Sequence, residues 1–288
     1  MRIRATVAAV SGALALSALA VPVAQAGNDS DVSAHRTSAA ERFGSSQNRS
    51  AFSAAAAAEA LPVVSKVTVN SGKAVAVGTT YAKTFTVSVT ASHATGIQDA
   101  YVDLWHGTDV ETDIDGLLMP NEEAATCTAS SATTSTCKLT ITAAPGTDLY
   151  MNALAGTWHV TAGALAGDGS IYWNDLHATH KVQRYSKLTV NASPEPVKKG
   201  KTITVTGKLS RANWDDFKYH GYTNQSVKLQ FRKKGSSTYT TLKTIKSNST
   251  GELKTTVTAS TDGYFRYSFA GTTTTPAVNA TGDFVDVQ

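Results

Sequence analysis

The amino-acid sequence predicts an all-β protein built from two antiparallel β-sandwich domains. In short runs, apolar residues alternate with polar ones, which is typical of strands with one buried face. Gly, Asn, Asp and Pro separate these runs, and no long stretch repeats apolar residues at the period of a helix. We therefore expect strands joined by turns throughout the folded part of the chain.

Residues 1–26 have the layout of a secretory signal peptide. Arg2 and Arg4 precede an apolar run, and Ala24-Gln25-Ala26 forms a small-x-small cleavage site. The apolar run is short for a membrane-spanning helix, so we expect no membrane span. The sequence predicts a secreted, extracellular protein.

Residues 27–61 differ in composition from the rest of the chain. Ala, Ser and other small or polar residues dominate, and large apolar residues are few. Such a segment buries too little apolar surface to offset the entropy lost on ordering. We expect a disordered Ala/Ser-rich spacer here.

Residues 62–184 form the first predicted domain, an acidic β-sandwich. Phe85, Val87 and Val89 share one face of a strand, as alternation requires. This domain carries 6 Lys and Arg against 11 Asp and Glu. The boundary to the second domain is placed at Arg184-Tyr185.

Cys127 and Cys137 are the two cysteines of the chain. An even number in an exported protein favours a disulfide, and the polar run between them is typical of a turn. The sequence therefore predicts a Cys127–Cys137 bridge that staples a hairpin or an adjoining loop.

Residues 185–288 form the second predicted domain, a basic one with 15 Lys and Arg against 7 Asp and Glu. Val227, Leu229 and Phe231 share one face of a strand, and Lys228, Gln230 and Arg232 share the other. About seven such runs in about 100 residues are typical of an immunoglobulin-like sandwich. The opposite charges of the two halves indicate different partners or mutual attraction.

Two local patterns refine the second domain. Residues 239–259 predict a hairpin with its turn at Asn248 to Gly251. The sequence DGYFRY, residues 262–267, resembles a tyrosine corner in which Tyr264 or Tyr267 supplies the hydroxyl.

The chain resembles a group of secreted actinobacterial proteins, some of which are named calcium-binding proteins. The resemblance is carried by the signal peptide MRIRATVAAVSGALALSALA and by residues 183–288, which begin QRYSKLTVNASPEPVKKG; it is looser over 62–182. It implies export and an immunoglobulin-like C-terminal domain. It implies no activity and assigns no binding residues.

The segment DVETDIDGLLMPNEE, residues 109–123, predicts a calcium site. Its acids and glycine follow the spacing of a helix–loop–helix calcium loop that starts at Glu111, although the entering segment is β-like. The candidate metal ligands are Asp109, Glu111, Asp113, Asp115 and Glu122. The alternative is a solvated loop followed by a short helix that begins near Pro120.

The segment RANWDDFKYHGYTNQ, residues 211–225, predicts a carbohydrate site, because aromatic faces stack on sugar rings. The candidates are Trp214, Phe217, Tyr219 and Tyr222. In a basic domain they favour an anionic cell-wall polymer or polysaccharide. The alternative is that these aromatic residues cap the open end of the sandwich.

The remaining motifs do not indicate catalysis. His177 and His180 point to opposite faces of a strand, and we find no nucleophile elbow, zinc motif or phosphate loop. We expect a non-catalytic binding or structural module, with no nucleic acid as partner. This module, acting outside the cell, is the leading hypothesis, and its sharper version binds calcium through residues 109–123. A carbohydrate- or cell-wall-associated adhesion module is the alternative, and an enzyme is the third.

Overall fold

The computed structural model describes residues 36–44 and 60–288. The predicted signal peptide and residues 27–35 and 45–59 of the predicted spacer lie outside the described residues. Among the helices of the described part, none is both long enough and apolar enough to cross a membrane.

The first sandwich contains two facing sheets, and its strands alternate in the way that the sequence predicts. The strands are β1 (Val63–Val69), β2 (Val75–Val77), β3 (Lys83–Ser92), β4 (Ile97–Asp109), β5 (Asp113–Leu118), β6 (Thr126–Ala129), β7 (Thr134–Ala143), β8 (Gly156–Ala166) and β9 (Ile171–Arg184). Short 3-10 turns occur at Asn70–Gly72 and Asn152–Leu154. One sheet has the order β1-β3-β7-β6 and the other has the order β2-β9-β8-β4-β5, in which β2 runs parallel to β9.

Apolar side chains from both sheets fill the space between them. Phe85, Val87 and Val89 are buried on the inner face of β3, as predicted. The Cys127–Cys137 disulfide joins directly opposed residues of β6 and β7, which confirms the predicted bridge. The bridge therefore staples two neighbouring strands of one sheet.

Residues 36–44, called here the N-terminal arm, lie against the outer face of the β4-β8-β9 sheet. They contain α1 (Ala39–Phe43), which begins with a capping box between Ser38 and Glu41. Arg36 and Arg42 form ion pairs with Asp103 and Asp99 of β4. These nine residues belong to the predicted disordered spacer, residues 27–61, and their two arginines and Phe43 have partners on the sheet.

The second sandwich also consists of two sheets. Its strands are β10 (Ser186–Leu188), β11 (Asn191–Ser193), β12 (Thr202–Asn213), β13 (Lys218–Gly221), β14 (Ser226–Lys233), β15 (Thr240–Lys246), β16 (Glu252–Thr258), β17 (Gly263–Phe269), β18 (Val278–Asn279) and β19 (Asp283–Val285). Strand β12 pairs with β10, β11, β13 and β16. The second sheet has the order β15-β14-β17-β18, with β19 also on β17. The predicted class, two immunoglobulin-like β-sandwiches, is confirmed for the described residues.

Two local predictions for the second sandwich need correction. The turn at Asn248 to Gly251 is present, but β15 pairs with β14 and β16 pairs with β12, so the turn connects the two sheets and closes no hairpin. Tyr267 is buried, and its hydroxyl donates to the carbonyl of Val205 at 2.9 Å. That carbonyl belongs to β12 on the opposite sheet, so Tyr267 ties the two sheets together instead of forming a corner.

A single residue, Tyr185, separates β9 of the first sandwich from β10 of the second. Its N–H donates to the carbonyl of Val77 at 2.8 Å, and its carbonyl accepts from the N–H of Ala212 at 2.8 Å. The N–H of Arg184 donates to Thr274 at 3.0 Å. Because the backbone at the junction is bonded on both sides, the two sandwiches are held in direct contact.

Candidate functional site

The predicted acidic loop is a β-hairpin formed by β4 and β5. Asp109 closes its turn by accepting from the N–H of Glu111 and from the N–H and hydroxyl of Thr112, each at 2.9 Å. These hydrogen bonds, that from the Glu111 N–H foremost, lower the pKa of the Asp109 carboxyl. Glu111 lies in the exposed turn itself.

The other predicted metal ligands are bound separately. Asp113 accepts from the hydroxyl of Thr108, and Asp115 lies 2.5 Å from Nδ1 of His106. Glu122 accepts from the N–H and hydroxyl of Thr140, at 2.7 and 2.6 Å. Each of these carboxylates therefore has a local partner.

The expected convergence of Asp113, Asp115 and Glu122 is not found. Thr140 belongs to β7 in the opposite sheet, so Glu122 is directed away from the hairpin strand that carries the two aspartates. In residues 36–44 and 60–288, no group of three or more His, Cys, Asp or Glu side chains is placed to hold a metal ion. The short helix near Pro120 is also not formed, since Pro120 bridges to Ile141 and a bend follows.

The predicted carbohydrate residues do not form one surface. Trp214 is fully buried and belongs to the core of the first sandwich, where its Nε1 donates to the carbonyl of Gly78 at 3.1 Å. A side chain in that position presents no face to a sugar, so the carbohydrate assignment of Trp214 needs correction. The physical reason is that β12 extends past its own sandwich and delivers Trp214 into the neighbouring core.

The other three aromatic residues of the segment are separated. Tyr219 packs against the first core and has Lys187 Nζ 3.6 Å from its ring centroid. Tyr222 lies beneath the guanidinium of Arg211 at 3.9 Å and packs in the second core. Phe217 is 46% exposed. The segment therefore contributes aromatic side chains to both cores and offers no continuous aromatic surface.

A different aromatic and cationic surface lies on the outer face of β14, β17 and β19, called here the cationic face. Arg232, Tyr264 and Phe284 form one row across these strands, and Gln230 and Arg266 form the next row. The sequence carried a signal for this face, because Lys228, Gln230 and Arg232 were assigned to the outer side of their strand. The sequence of one strand does not show which strands pair beside it. The contribution of Tyr264, Arg266 and Phe284 to this face was therefore not predicted.

The guanidinium groups of the cationic face are held by aromatic rings. Arg266 lies 3.7 Å from the ring centroid of Tyr239, and Arg232 lies 4.1 Å from that of Tyr264. Nε of Arg266 donates to Oε1 of Gln230 at 2.9 Å. Stacking and hydrogen bonding fix each guanidinium in one plane, which lowers the entropy that binding would cost.

The charges of the cationic face are not neutralised locally. In the part of the chain that the structure describes, neither Arg232 nor Arg266 has a carboxylate within 4.0 Å of its guanidinium. The nearby Lys234 differs, since it pairs with Asp262 at 3.3 Å. The two arginines therefore remain available to an external anion.

The matching family model covers part of the first sandwich and no part of the second. Residues 67–164 match the model of a family of unknown function, DUF5707. This match covers about a third of the chain. No curated protein sequence matches the chain.

Among solved structures, similar chains include a marsupial T cell receptor, the D00-D0 domain of intimin and the Yersinia pseudotuberculosis adhesin InvE. The receptor is 12% identical with a TM-score of 0.33, over 79% of this chain and 73% of that chain. Intimin is 16% identical with a TM-score of 0.25, over 76% and 99%. InvE is 16% identical with a TM-score of 0.25, over 76% and 58%.

Proposed function

We propose that this chain is a non-catalytic binding module that acts outside the cell and recognises an anionic carbohydrate polymer through the cationic face. The observation that carries the proposal is the pair Arg232 and Arg266, each stacked on a tyrosine and without a carboxylate partner among the described residues. The proposal keeps the predicted ligand class but moves its site from residues 211–225 to the second sheet of the same sandwich.

The chemistry of the face favours anions that are spaced along a polymer. A guanidinium offers a planar fork of N–H donors that fits a carboxylate, sulfate or phosphate with two parallel hydrogen bonds. Arg232 and Arg266 are diagonal neighbours on adjacent strands, since Arg232 pairs with Tyr264 and Arg266 pairs with Gln230. Diagonal neighbours lie about 7–8 Å apart, so the face suits two anionic groups on one chain better than one isolated ion.

The aromatic residues favour a sugar backbone between those anions. Tyr264 and Phe284 lie side by side with ring centroids 5.1 Å apart. Both side chains are partly exposed at the rim of the row that contains Arg232. Apolar ring surface beside fixed donors is the combination that sugar rings with charged substituents require.

Action outside the cell is supported by two features of the chain. The first 26 residues have the layout of a signal peptide. The Cys127–Cys137 disulfide is typical of proteins that fold in an oxidising compartment.

The test measures binding of the chain from residue 27 to polygalacturonate, with neutral dextran as the uncharged polymer. The double variant Arg232→Gln, Arg266→Gln should bind polygalacturonate at least about tenfold more weakly, because hydrogen bonds to charged groups contribute about 1.5–3 kcal/mol each. Binding of the unchanged chain should weaken as salt is raised, because exposed charges are screened.

A matched control removes the same two charges elsewhere in the domain. Lys208 and Lys254 are exposed on the opposite sheet, so Lys208→Gln, Lys254→Gln lowers the net charge equally and leaves the cationic face intact. An equal loss of affinity in both double variants would contradict the proposal, because net charge alone would then explain the binding. A single-stranded oligonucleotide that competes as well as polygalacturonate would also contradict it.

A further inference from the structure

Two arginines at the junction of the sandwiches project to the same side of the chain. Arg184 ends β9 and is 8% exposed, and Arg211 of β12 is partly buried. Arg211 pairs with Ser186 of β10, and the pairing continues at Tyr185, whose carbonyl accepts from the N–H of Ala212 at 2.8 Å. Because side chains alternate along an extended chain, Arg184 shares the side of Ser186. Arg184 is therefore a diagonal neighbour of Arg211, about 7–8 Å away.

Each guanidinium is held in place by neutral groups. Nε of Arg184 donates to the carbonyl of Ala212 at 2.6 Å. A terminal nitrogen of Arg211 donates to the hydroxyls of Thr274 and Thr275, at 3.4 and 3.3 Å. Both groups are thus positioned by the fold itself, which lowers the entropy that binding a ligand would cost.

The charges of these two arginines are not neutralised by an adjacent acid. In residues 36–44 and 60–288, neither guanidinium has a carboxylate within 4.0 Å. Within the same residues, the terminal nitrogens of Arg184 have no hydrogen-bond partner and are not enclosed, so they reach solvent. A buried arginine therefore turns its free donors toward an opening at the junction.

Two aspartates in the neighbourhood are bound to other groups. Asp215 accepts from a backbone N–H of the first sandwich at 2.9 Å, and Asp216 lies 2.6 Å from Nε2 of His220. Burial and then the charge of Arg211 lower the pKa of Arg184 to about 10, although the charges of both aspartates oppose this shift. An anion between the two guanidinium groups would offset their repulsion.

Hydroxyl groups supply further donors at the same place. The hydroxyl of Tyr222, whose ring lies beneath Arg211, is 3.4 Å from Oγ1 of Thr272. Oγ1 of Thr272 is in turn 3.4 Å from Oγ1 of Thr274. Two guanidinium groups beside a row of hydroxyls suit a tetrahedral oxyanion, whose oxygens accept hydrogen bonds from several directions. A single carboxylate carries one charge and two oxygens, so it would leave part of these donors unused.

We infer that Arg184 and Arg211 form a binding site for a tetrahedral oxyanion, phosphate or sulfate, at the junction of the two sandwiches. The site is separate from the cationic face, because Arg232 and Arg266 lie on β14 and β17, which belong to a different sheet from β12. One arginine of the site belongs to the first sandwich and the other to the second. A bound anion therefore bridges the sandwiches and stabilises the folded chain.

The test titrates the chain from residue 27 with sodium phosphate, while sodium chloride keeps the ionic strength constant. NMR records the Nε–H signals of the arginine side chains, and the signals of Arg184 and Arg211 should shift until the site is saturated. The same titration with sodium sulfate ranks the two anions. The urea concentration at the midpoint of unfolding should rise with the anion that binds more tightly.

A variant at the site and a matched control separate this site from general charge effects. Arg211→Gln should weaken phosphate binding at least about tenfold, since hydrogen bonds to charged groups are the strong ones. The control Arg232→Gln, Arg266→Gln removes twice the charge, from the cationic face, and should leave this binding unchanged. Where Arg211→Gln does not fold, Arg211→Lys replaces it, because lysine keeps the charge but lacks the planar fork of donors.

Saturable shifts at both arginines that the Arg211 variant weakens and the control leaves unchanged support the inference. The absence of a saturable shift with both anions at tens of millimolar overturns it, and this result needs only the unchanged chain. Binding that the control weakens as much as the Arg211 variant also overturns it, because net charge would then explain the effect. The cationic face and the junction can thus fail independently.

Discussion

Nε1 of Trp214 donates a hydrogen bond to the carbonyl oxygen of Gly78 at 3.1 Å, so a side chain of the second sandwich completes the core of the first. The N–H of Trp214 is bonded as well, to Oδ1 of Asn152 at 2.9 Å. Among the described residues, no ion pair crosses the junction. The contacts described at the junction are an inserted tryptophan and hydrogen bonds.

Replacing Trp214 by alanine should lower the free energy of unfolding by about 3–5 kcal/mol, because a large buried side chain is removed and a cavity remains. Urea unfolding followed by circular dichroism measures this change. The control is Phe217→Ala, three residues away and 46% exposed, which we expect to change the stability by about 0.5 kcal/mol or less. Equal destabilisation by the two substitutions would show that Trp214 is not a core residue.

Gly163→Ala should displace the N-terminal arm. The added Cβ would lie 2.7 Å from Trp173 and 3.0 Å from Phe43, distances that require one of the rings to move. We expect acrylamide to quench the tryptophan fluorescence of this variant more strongly. Gly156→Ala is the matched control in the same strand, because a Cβ there meets nothing within 4 Å and quenching should stay unchanged.

Removing the disulfide should destabilise the chain by about 2.5–3 kcal/mol in the chain-entropy model, since the bridge closes a short loop. The variant is Cys127→Ser, Cys137→Ser, and the measurement is chemical unfolding. Reduction of the unchanged chain should produce a similar loss of stability. A stability that is equal with and without the bridge would contradict this account of its role.

The Asp109 carboxyl should titrate below its ordinary value of 3.8, because the folded hairpin supplies it with three hydrogen bonds. A carboxyl whose pKa is lower in the folded state stabilises that state above the unfolded value and loses this effect as the pH falls through the folded value. Titration by NMR measures the midpoint. In the Asp109→Asn variant, this carboxyl should no longer contribute to the loss of stability at low pH. An Asp109 titration midpoint of 3.8 or higher in the unchanged chain would contradict the prediction.

Calcium titration of the chain by calorimetry should give no one-site isotherm. Asp113 and Asp115 are bound to Thr108 and His106 of β4, whereas Glu122 is bound to Thr140 of β7 in the opposite sheet. A saturable isotherm that Asp113→Asn, Asp115→Asn abolishes would contradict this expectation. The hairpin would then have to rearrange on binding, and the original calcium prediction would be right.

Local sequence patterns predicted the features that depend on neighbouring residues. Alternation along one strand identified the buried face of Phe85, Val87 and Val89, and cysteine spacing identified the bridge between β6 and β7. Each of these features is set within about ten residues of chain.

Local sequence patterns did not predict the features that depend on residues far apart in the sequence. The turn at Asn248 to Gly251 looks the same whether its strands pair with each other or with β14 and β12. Trp214 carries no mark that assigns it to the other sandwich, and Arg36 lies in a segment whose composition predicts disorder. Strand pairing and side-chain contacts between residues far apart in sequence determine these three features. The local sequence around each residue does not specify its distant partner.

Because the single residue Tyr185 joins β9 to β10, the number of residues between these two strands is constrained. Arg184 and Ser186 are buried while Tyr185 is exposed, so the chain keeps its alternation as it passes from one sandwich to the other. Inserting one residue there would invert the facing of every residue in β10, including the buried Leu188. The distance between the two sandwiches is therefore a fixed dimension of the molecule, and natural variation in length should fall in the turns rather than at this position.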